Sequence, residues 1–164
     1  MSNSRKSLEE FRSKFLKVHN FHSNFSQYYH IDTPFSVVLE VYRSDLENKY
    51  FKIANFSPND FSEILIDDES LLSSMAKRPL HQHDFFEFMF VQQGEVSFKI
   101  ENTERIYPAG TGCIVNCNLR HLEKMSSDFR IFFLNLSKNY VKQLLDSISG
   151  LYFDIENNTS LHTL

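Results

Sequence analysis

Tryptophan is absent from this 164-residue chain, and glycine, proline and methionine occur only four times each. There is no low-complexity tract and no internal repeat. No apolar run is long enough to cross a bilayer as a helix. The opening residues, Met1 to Glu10, lead into mixed charge rather than the apolar core of a secretory signal. Positive charge is also in short supply. A formal net charge of −4 makes the domain a poor candidate for gripping a phosphate backbone by itself. Only two cysteines are present, Cys113 and Cys117. In an extended segment their Cα atoms stand roughly 13 Å apart, beyond disulfide reach. Two such thiols alone do not complete a structural zinc site. Free thiols fit a reducing compartment, and the expectation is a cytoplasmic protein.

What the chain has in abundance is phenylalanine, 17 residues, so aromatic packing falls mainly to that side chain. A hydrophobic content of 41% and a charged content of 23% are ordinary for a globular protein. The length suffices for one domain with a sizeable core.

The start reads as helical. Ser7 and Glu10 form a capping box, and Leu8, Phe11, Phe15 and Val18 follow at about helical spacing. The pattern dissolves between Asn20 and Tyr29, and residues 1–33 read as an N-terminal extension or arm. From Pro34 the period changes. Phe35–Tyr42, Lys49–Ala54 and Phe61–Ile66 read as strands, the last two separated by the turn Ser57-Pro58-Asn59-Asp60. Asp67–Met75 fits either a helical turn or a loop. After Pro79 comes an aromatic-rich strand, then a hairpin turn at Gln92-Gln93-Gly94-Glu95. Val96, Phe98 and Ile100 alternate with polar residues along the next strand. Short strands at Arg105–Tyr107, Cys113–Val115 and Phe129–Leu136 follow, so turn signals recur every eight to twelve residues, as in a sandwich or barrel. Ser137 then caps an amphipathic helix with the stripe Tyr140, Val141, Leu144, Leu145 and Ile148, which Gly150 can terminate. Residues 34–136 thus read as one β domain, and residues 137–164 as a helix and the start of a linker.

The densest chemistry is His81-Gln82-His83-Asp84-Phe85-Phe86-Glu87. His81, His83 and Glu87 share parity, so on a strand they project from one face. Phe85, Met89 and Val91 share that face. The opposite face, Phe86, Phe88 and Phe90, is also apolar and calls for a second covering layer. His121 is the fourth member of the candidate cluster. Three imidazoles and a carboxylate suit Zn, Ni, Mn or Fe. They equally suit a hydrogen-bonded polar cluster tying strands and loops together.

His81-x-His83-x-x-x-Glu87-x6-Gly94 resembles the first motif of the cupins, and Gly110 with His121 falls at the spacing of the second. Met75, Asn116, Asn118 and Met125 depart from residues common in metal-binding cupins, although Asn118 can supply a left-handed turn. A closer resemblance is to the N-terminal effector-sensing domain of AraC/XylS-type transcription regulators, the rhamnose-type ones in particular. It rests on His81-x-His83-Asp84-Phe85-x-Glu87-Phe88, Gly94, Pro108-x-Gly110, His121 and the strand-then-helix order at Phe129–Ile148. The resemblance implies a mainly β fold, a cupin-like double-stranded β-helix (jelly-roll) barrel with flanking helices. It also implies a small effector, often a sugar, bound in the barrel, dimerisation through an outer helix, and DNA binding by helix-turn-helix motifs outside this chain. The effector-binding candidates are His81, His83, Glu87, Arg105 and His121. His81, His83, Glu87 and His121 are the candidate ligands of a divalent metal. The leading expectation is a non-enzymatic sensor. The competing one is a metal-dependent cupin enzyme, a dioxygenase or sugar isomerase.

Overall fold

The computed structural model describes residues 8, 10–14, 16–20, 27–44, 49–67, 79–100, 103–147 and 162–163. Thirteen strands are assigned among them, arranged as two facing sheets. In chain order they are β1 Lys17–Asn20, β2 Gln27–His30, β3 Phe35–Arg43, β4 Tyr50–Ser57, β5 Asp60–Ile66, β6 His81–His83, β7 Phe85–Gln93, β8 Glu95–Ile100, β9 Thr103–Pro108, β10 Gly112–Val115, β11 His121–Met125, β12 Phe129–Ser137 and β13 His162–Thr163. One sheet has the order β1-β2-β6-β11-β8-β9 and the other β13-β10-β7-β12-β3-β4-β5. Pairing is antiparallel except between β2 and β6. This is a jelly-roll sandwich of the cupin-like kind: the strand spacing predicts a sandwich or barrel, and the resemblance implies the jelly roll.

The core lies where the inward rows of the two sheets meet. Val38, Phe51, Ile53, Met89, Val91, Ile131 and Phe133 come from one sheet; Val96, Phe98, Ile100, Tyr107 and Met125 come from the other. Alternation decides which residues these are: β12 reads buried at Phe129, Ile131, Phe133 and Asn135 and only half-buried between them. Each fully buried Ile, Val or Phe side chain contributes on the order of 1.5–3 kcal/mol.

Two turns hold the register. Gly94, at φ +79°, closes the β7–β8 hairpin, and a Cβ there would stand 2.2 Å from the Asp128 carbonyl oxygen. Asn118 adopts φ +63°, the left-handed conformation expected of it, and its N–H donates to the His83 carbonyl at 2.6 Å.

The N-terminal reading needs correction. Residues 8 and 10–13 are helical, with Leu8 and Phe11 buried in the core, but Val18 lies in β1 and not on a helix. Phe15 is outside the described residues. The polar stretch that follows supplies β2, which lies parallel to β6 with Gln27 opposite His81 and Tyr29 opposite His83. A strand with half-buried residues on both faces gives no period for a sequence reading to detect.

The helix Lys138–Ser147 begins where expected, with the Ser137 hydroxyl accepting the Tyr140 N–H at 3.2 Å. Its apolar stripe is only partly covered: Tyr140 packs on Phe35 at 6.1 Å between centroids, while Leu144 stays 39% exposed. Ile148, Gly150 and the ambiguous stretch after Asp67 fall outside the described residues. The outer face of β7 is unevenly covered by described residues, Phe86 being buried and Phe90 46% exposed. No described helix is long and apolar enough to cross a membrane.

Candidate functional site

His81, His83, Glu87 and His121 meet between the two sheets, and all four are buried. The chain reaches this geometry through a bend at Asp84. His81 and His83 lie on β6 in one sheet; after the bend the chain continues as β7 in the other sheet, carrying Glu87. The run expected as a single strand therefore crosses from sheet to sheet, and its residues of shared parity face one another across the interior. His121 arrives on β11 directly opposite His81.

Each imidazole is held by its own backbone. His81 Nδ1 lies 3.0 Å from the Pro79 carbonyl oxygen, His83 Nδ1 2.7 Å from that of Phe85, and His121 Nδ1 2.8 Å from that of Leu119. A carbonyl only accepts, so Nδ1 carries the proton and donates in all three rings. In a neutral ring Nε2 is then an unprotonated lone pair. Aromatic walls hold the ring planes: Phe85 stacks on His83 at 4.2 Å, and Phe98 on His121 at 5.3 Å. Burial, followed by the neighbouring His121 and His81, holds the His83 imidazole well below its ordinary pKa.

The three Nε2 atoms face carboxylates. His83 Nε2 is 4.0 Å and His121 Nε2 3.9 Å from Glu87 Oε1. A second carboxylate closes the other side: Glu123 Oε1 lies 3.7 Å from His81 Nε2 and 3.8 Å from His121 Nε2. None of these separations is a hydrogen bond. Glu123 is fully buried and sits two residues after His121 on the same face of β11. It is the functional candidate that the sequence reading missed. The parity rule that joined His81, His83 and Glu87 also joins His121 to Glu123. Hydrophobic alternation hides it, because β11 points charged residues inward.

The donor set fits a metal ion. There are two triads that share His121, His81–His121–Glu123 and His83–Glu87–His121, and within each the ligand atoms lie within 4.8 Å of one another. Donors bound to one ion at about 2.0–2.2 Å are spaced by about 3–4 Å. The Nδ1–H bonds to backbone carbonyls match the support that metal-ligating imidazoles receive elsewhere.

Arg105 does not join this group. It lies exposed on β9, opposite Phe98 in the register, while the other four candidates are buried. The two cysteines are not in either triad, although Glu87 and Glu123 add to the effect of burial on Cys113. Burial pushes the Cys113 thiol up to about 12 and the Cys117 thiol to about 11.

A second feature lies at the outer end of the β6–β7 bend. A cleft of about 570 Å³ opens between the residues joining β2 to β3 and the first turns of the helix Lys138–Ser147. Its walls include His30, Asp32 and Asp84 on the sandwich side and Lys138, Asn139 and Tyr140 on the helix side. His30 contacts both Asp84 and Asp32 through its ring nitrogens. Nothing local in the sequence pairs His30 with a carboxylate 54 positions away.

Residues 56–163 match the family model of the AraC-like ligand binding domain. No curated protein and no solved structure matches the chain significantly. The matched region runs from the end of β4 to the last described strand and contains every member of the buried cluster. The chain belongs to the AraC-like ligand binding domain family, the ligand-sensing domains of AraC-type regulators.

Proposed function

We propose that this domain senses a small polar effector, a sugar or sugar-like molecule, for a bacterial AraC-type transcription regulator. DNA contact would be made by a helix-turn-helix domain outside this chain, and the domain would also pair with a second copy. The observation that carries the reading is the cleft between the sandwich and the helix Lys138–Ser147. Its volume falls within the range of about 300–1,000 Å³ common for small-molecule sites. Its lining combines a tyrosine face with carboxylate, imidazole, amide and ammonium groups, as a hydroxyl-rich ligand needs.

The position of the cleft supplies a mechanism. One wall belongs to the sandwich and the other to a helix that buries none of its residues fully. An effector bridging Asp32 and Asp84 to Lys138 and Asn139 stabilises one placement of that helix over others. Such differential affinity between two arrangements is what a ligand needs in order to switch a tethered domain. Family membership favours this reading over a metal-dependent enzyme.

The test is a thermal-shift screen of neutral sugars, sugar acids and amino sugars, followed by titration of any hit into Asp84→Asn and Tyr140→Ala. Binding to the folded state raises the apparent melting temperature. The expected result is a hit whose Kd weakens at least tenfold in both variants while far-UV circular dichroism is unchanged. A hit that binds both variants as tightly as the parent would remove the cleft from consideration. Site-specific DNA binding by these 164 residues alone would contradict the assignment of that task to another domain.

A further inference from the structure

We propose that the outer face of β4 and β5, centred on Phe56, Phe61 and Leu65, is the surface through which this chain pairs with a second copy of itself. The inference rests on the reading that the domain pairs. It places the contact on a sheet and not on the outer helix that the family resemblance implies.

The two strands alternate. Phe51, Ile53, Asn55 and Ser57 of β4 point inward and are buried. Lys52, Ala54 and Phe56, between them, therefore point away from the core. The register carries this face onto β5: Phe61 stands opposite Phe56, Glu63 opposite Ala54 and Leu65 opposite Lys52. Phe56 is 51%, Phe61 62% and Leu65 61% exposed. Outward positions on a solvated sheet are ordinarily polar, yet here the largest ones are apolar and adjacent. Half-buried Val37 and Leu39 of β3, opposite Phe56 and Ala54, extend the patch. Ile106 on β9 is a contrast: it is as exposed, but Ser97 stands opposite it with Lys124 beyond. Single apolar residues of that kind are common on surfaces.

Area and charge identify the occupant. The open parts of the two phenylalanines are on the order of 100 Å² each. With Leu65 the patch reaches about 300 Å², in the range of the largest and often functional patch on a monomer. The outer face of β3, β4 and β5 is about 25 Å long and about 15 Å across. Roughened by side chains, it offers on the order of 600 Å² per copy, so two copies bury about 1,200 Å², the lower end for a specific contact. The chain carries a net charge of −4, so two copies repel at long range. This face does not add to that repulsion. Its outward charges on β4 and β5 are Lys52 and Glu63, paired at 2.8 Å, and they sum to zero.

The pattern is also self-complementary. Phe56 and Phe61 lie at one end, Ala54 and Glu63 in the middle, and Lys52 and Leu65 at the other. A two-fold axis along the strands, between β4 and β5, sets each Phe56 on the other copy's Phe61 and gathers four phenyl rings. The same axis sets each Glu63 over the other copy's Ala54, the smallest side chain of the face, one step along the strand from that copy's Lys52. Apolar groups then meet apolar groups, and each carboxylate lies between two ammonium groups.

The experiment is sedimentation equilibrium of the whole chain from micromolar to hundreds of micromolar, on unaltered protein, Phe61→Glu and Leu144→Glu. The unaltered chain should dimerise reversibly. Phe61→Glu, which sets a carboxylate among the phenyl rings, should weaken Kd at least tenfold with unchanged far-UV circular dichroism. Leu144→Glu, on the helix, should leave Kd within about twofold. A dimer as strong in Phe61→Glu as in the unaltered chain overturns the surface and leaves pairing itself standing. A chain that stays monomeric throughout overturns the pairing as well. Because Phe61→Glu can disturb the hairpin, Phe61→Cys is also treated with a short bis-maleimide, with unaltered protein as the control for Cys113 and Cys117. Cross-linked dimer above the control supports the proposal; none above it, in a sample that sediments as a dimer, overturns it.

Discussion

Replacing Glu123 by glutamine should stabilise the chelator-treated domain. In the metal-free protein the carboxylate is fully buried, accepts no hydrogen bond among the described residues, and lies 3.7–3.8 Å from two imidazole nitrogens. Glutamine keeps the shape and brings an N–H pair that can donate to those nitrogens. An unsatisfied buried polar group costs about 1–3 kcal/mol, and more when charged. Relieving it should therefore stabilise the metal-free domain by about 1–3 kcal/mol. For a domain of this length each kcal/mol moves the melting temperature by about 2–4 °C, so the variant should melt about 2–12 °C above the unaltered protein. Differential scanning calorimetry of both proteins after chelator treatment measures the difference. If the glutamine variant is the less stable of the two, the carboxylate is a structural partner and the desolvation argument fails.

Other expectations follow from the same geometry. Gly94→Ala should destabilise by more than about 2 kcal/mol, since a Cβ there meets the Asp128 carbonyl oxygen at 2.2 Å as well as a left-handed backbone. Gly110→Ala should lose only about 1–2 kcal/mol, because the space beside it is open and the penalty is the φ of +86° alone; urea melts yielding equal losses would refute the contrast. The depressed pKa of His83 sets a pH dependence in the metal-free protein. Facing His81, His121 and Glu87, it stays neutral when folded, whereas the unfolded chain takes up its proton below about 6.5. Its stabilising contribution is thus full above about 6.5 and falls by up to about 1.4 kcal/mol per unit as the pH drops toward the folded value. Comparing urea midpoints at pH 7.5 and 5.5 for the parent and His83→Gln tests this, and an equal acid loss in both would refute it. Both thiols should react slowly with a disulfide probe at pH 8, Cys113 more slowly than Cys117, with their values near 12 and 11; a prompt stoichiometric release from the native protein would contradict that.

The jelly-roll strands were legible because most obey a period of two with Val, Ile and Phe pointing inward, and because Gly94 and Pro108-Ala109-Gly110 punctuate them. His81, His83, Glu87 and His121 were legible through parity and motif spacing. Three things were not. β1 (Lys17, Val18, His19, Asn20) and β2 (Gln27, Tyr28, Tyr29, His30) have no apolar period, and β2 forms against β6 while β1 forms against β2. The bend at Asp84 has no glycine or proline to announce it, so one strand was read where two sheets are joined. Glu123 was hidden because β11 turns His121 and Glu123 inward, and a reading that assigns charge to the outer face looks past them. Each of these rests on pairing between residues distant in the chain, which local pattern does not encode.

The central claim is that three buried imidazoles, each donating Nδ1–H to its own backbone, turn unprotonated Nε2 atoms toward the buried carboxylates Glu87 and Glu123. Long-range proton–nitrogen correlation spectra of 15N-labelled, chelator-treated protein test it most directly. The account predicts protonated Nδ1 and unprotonated Nε2 on His81, His83 and His121. Protons on Nε2 in the folded protein would contradict it.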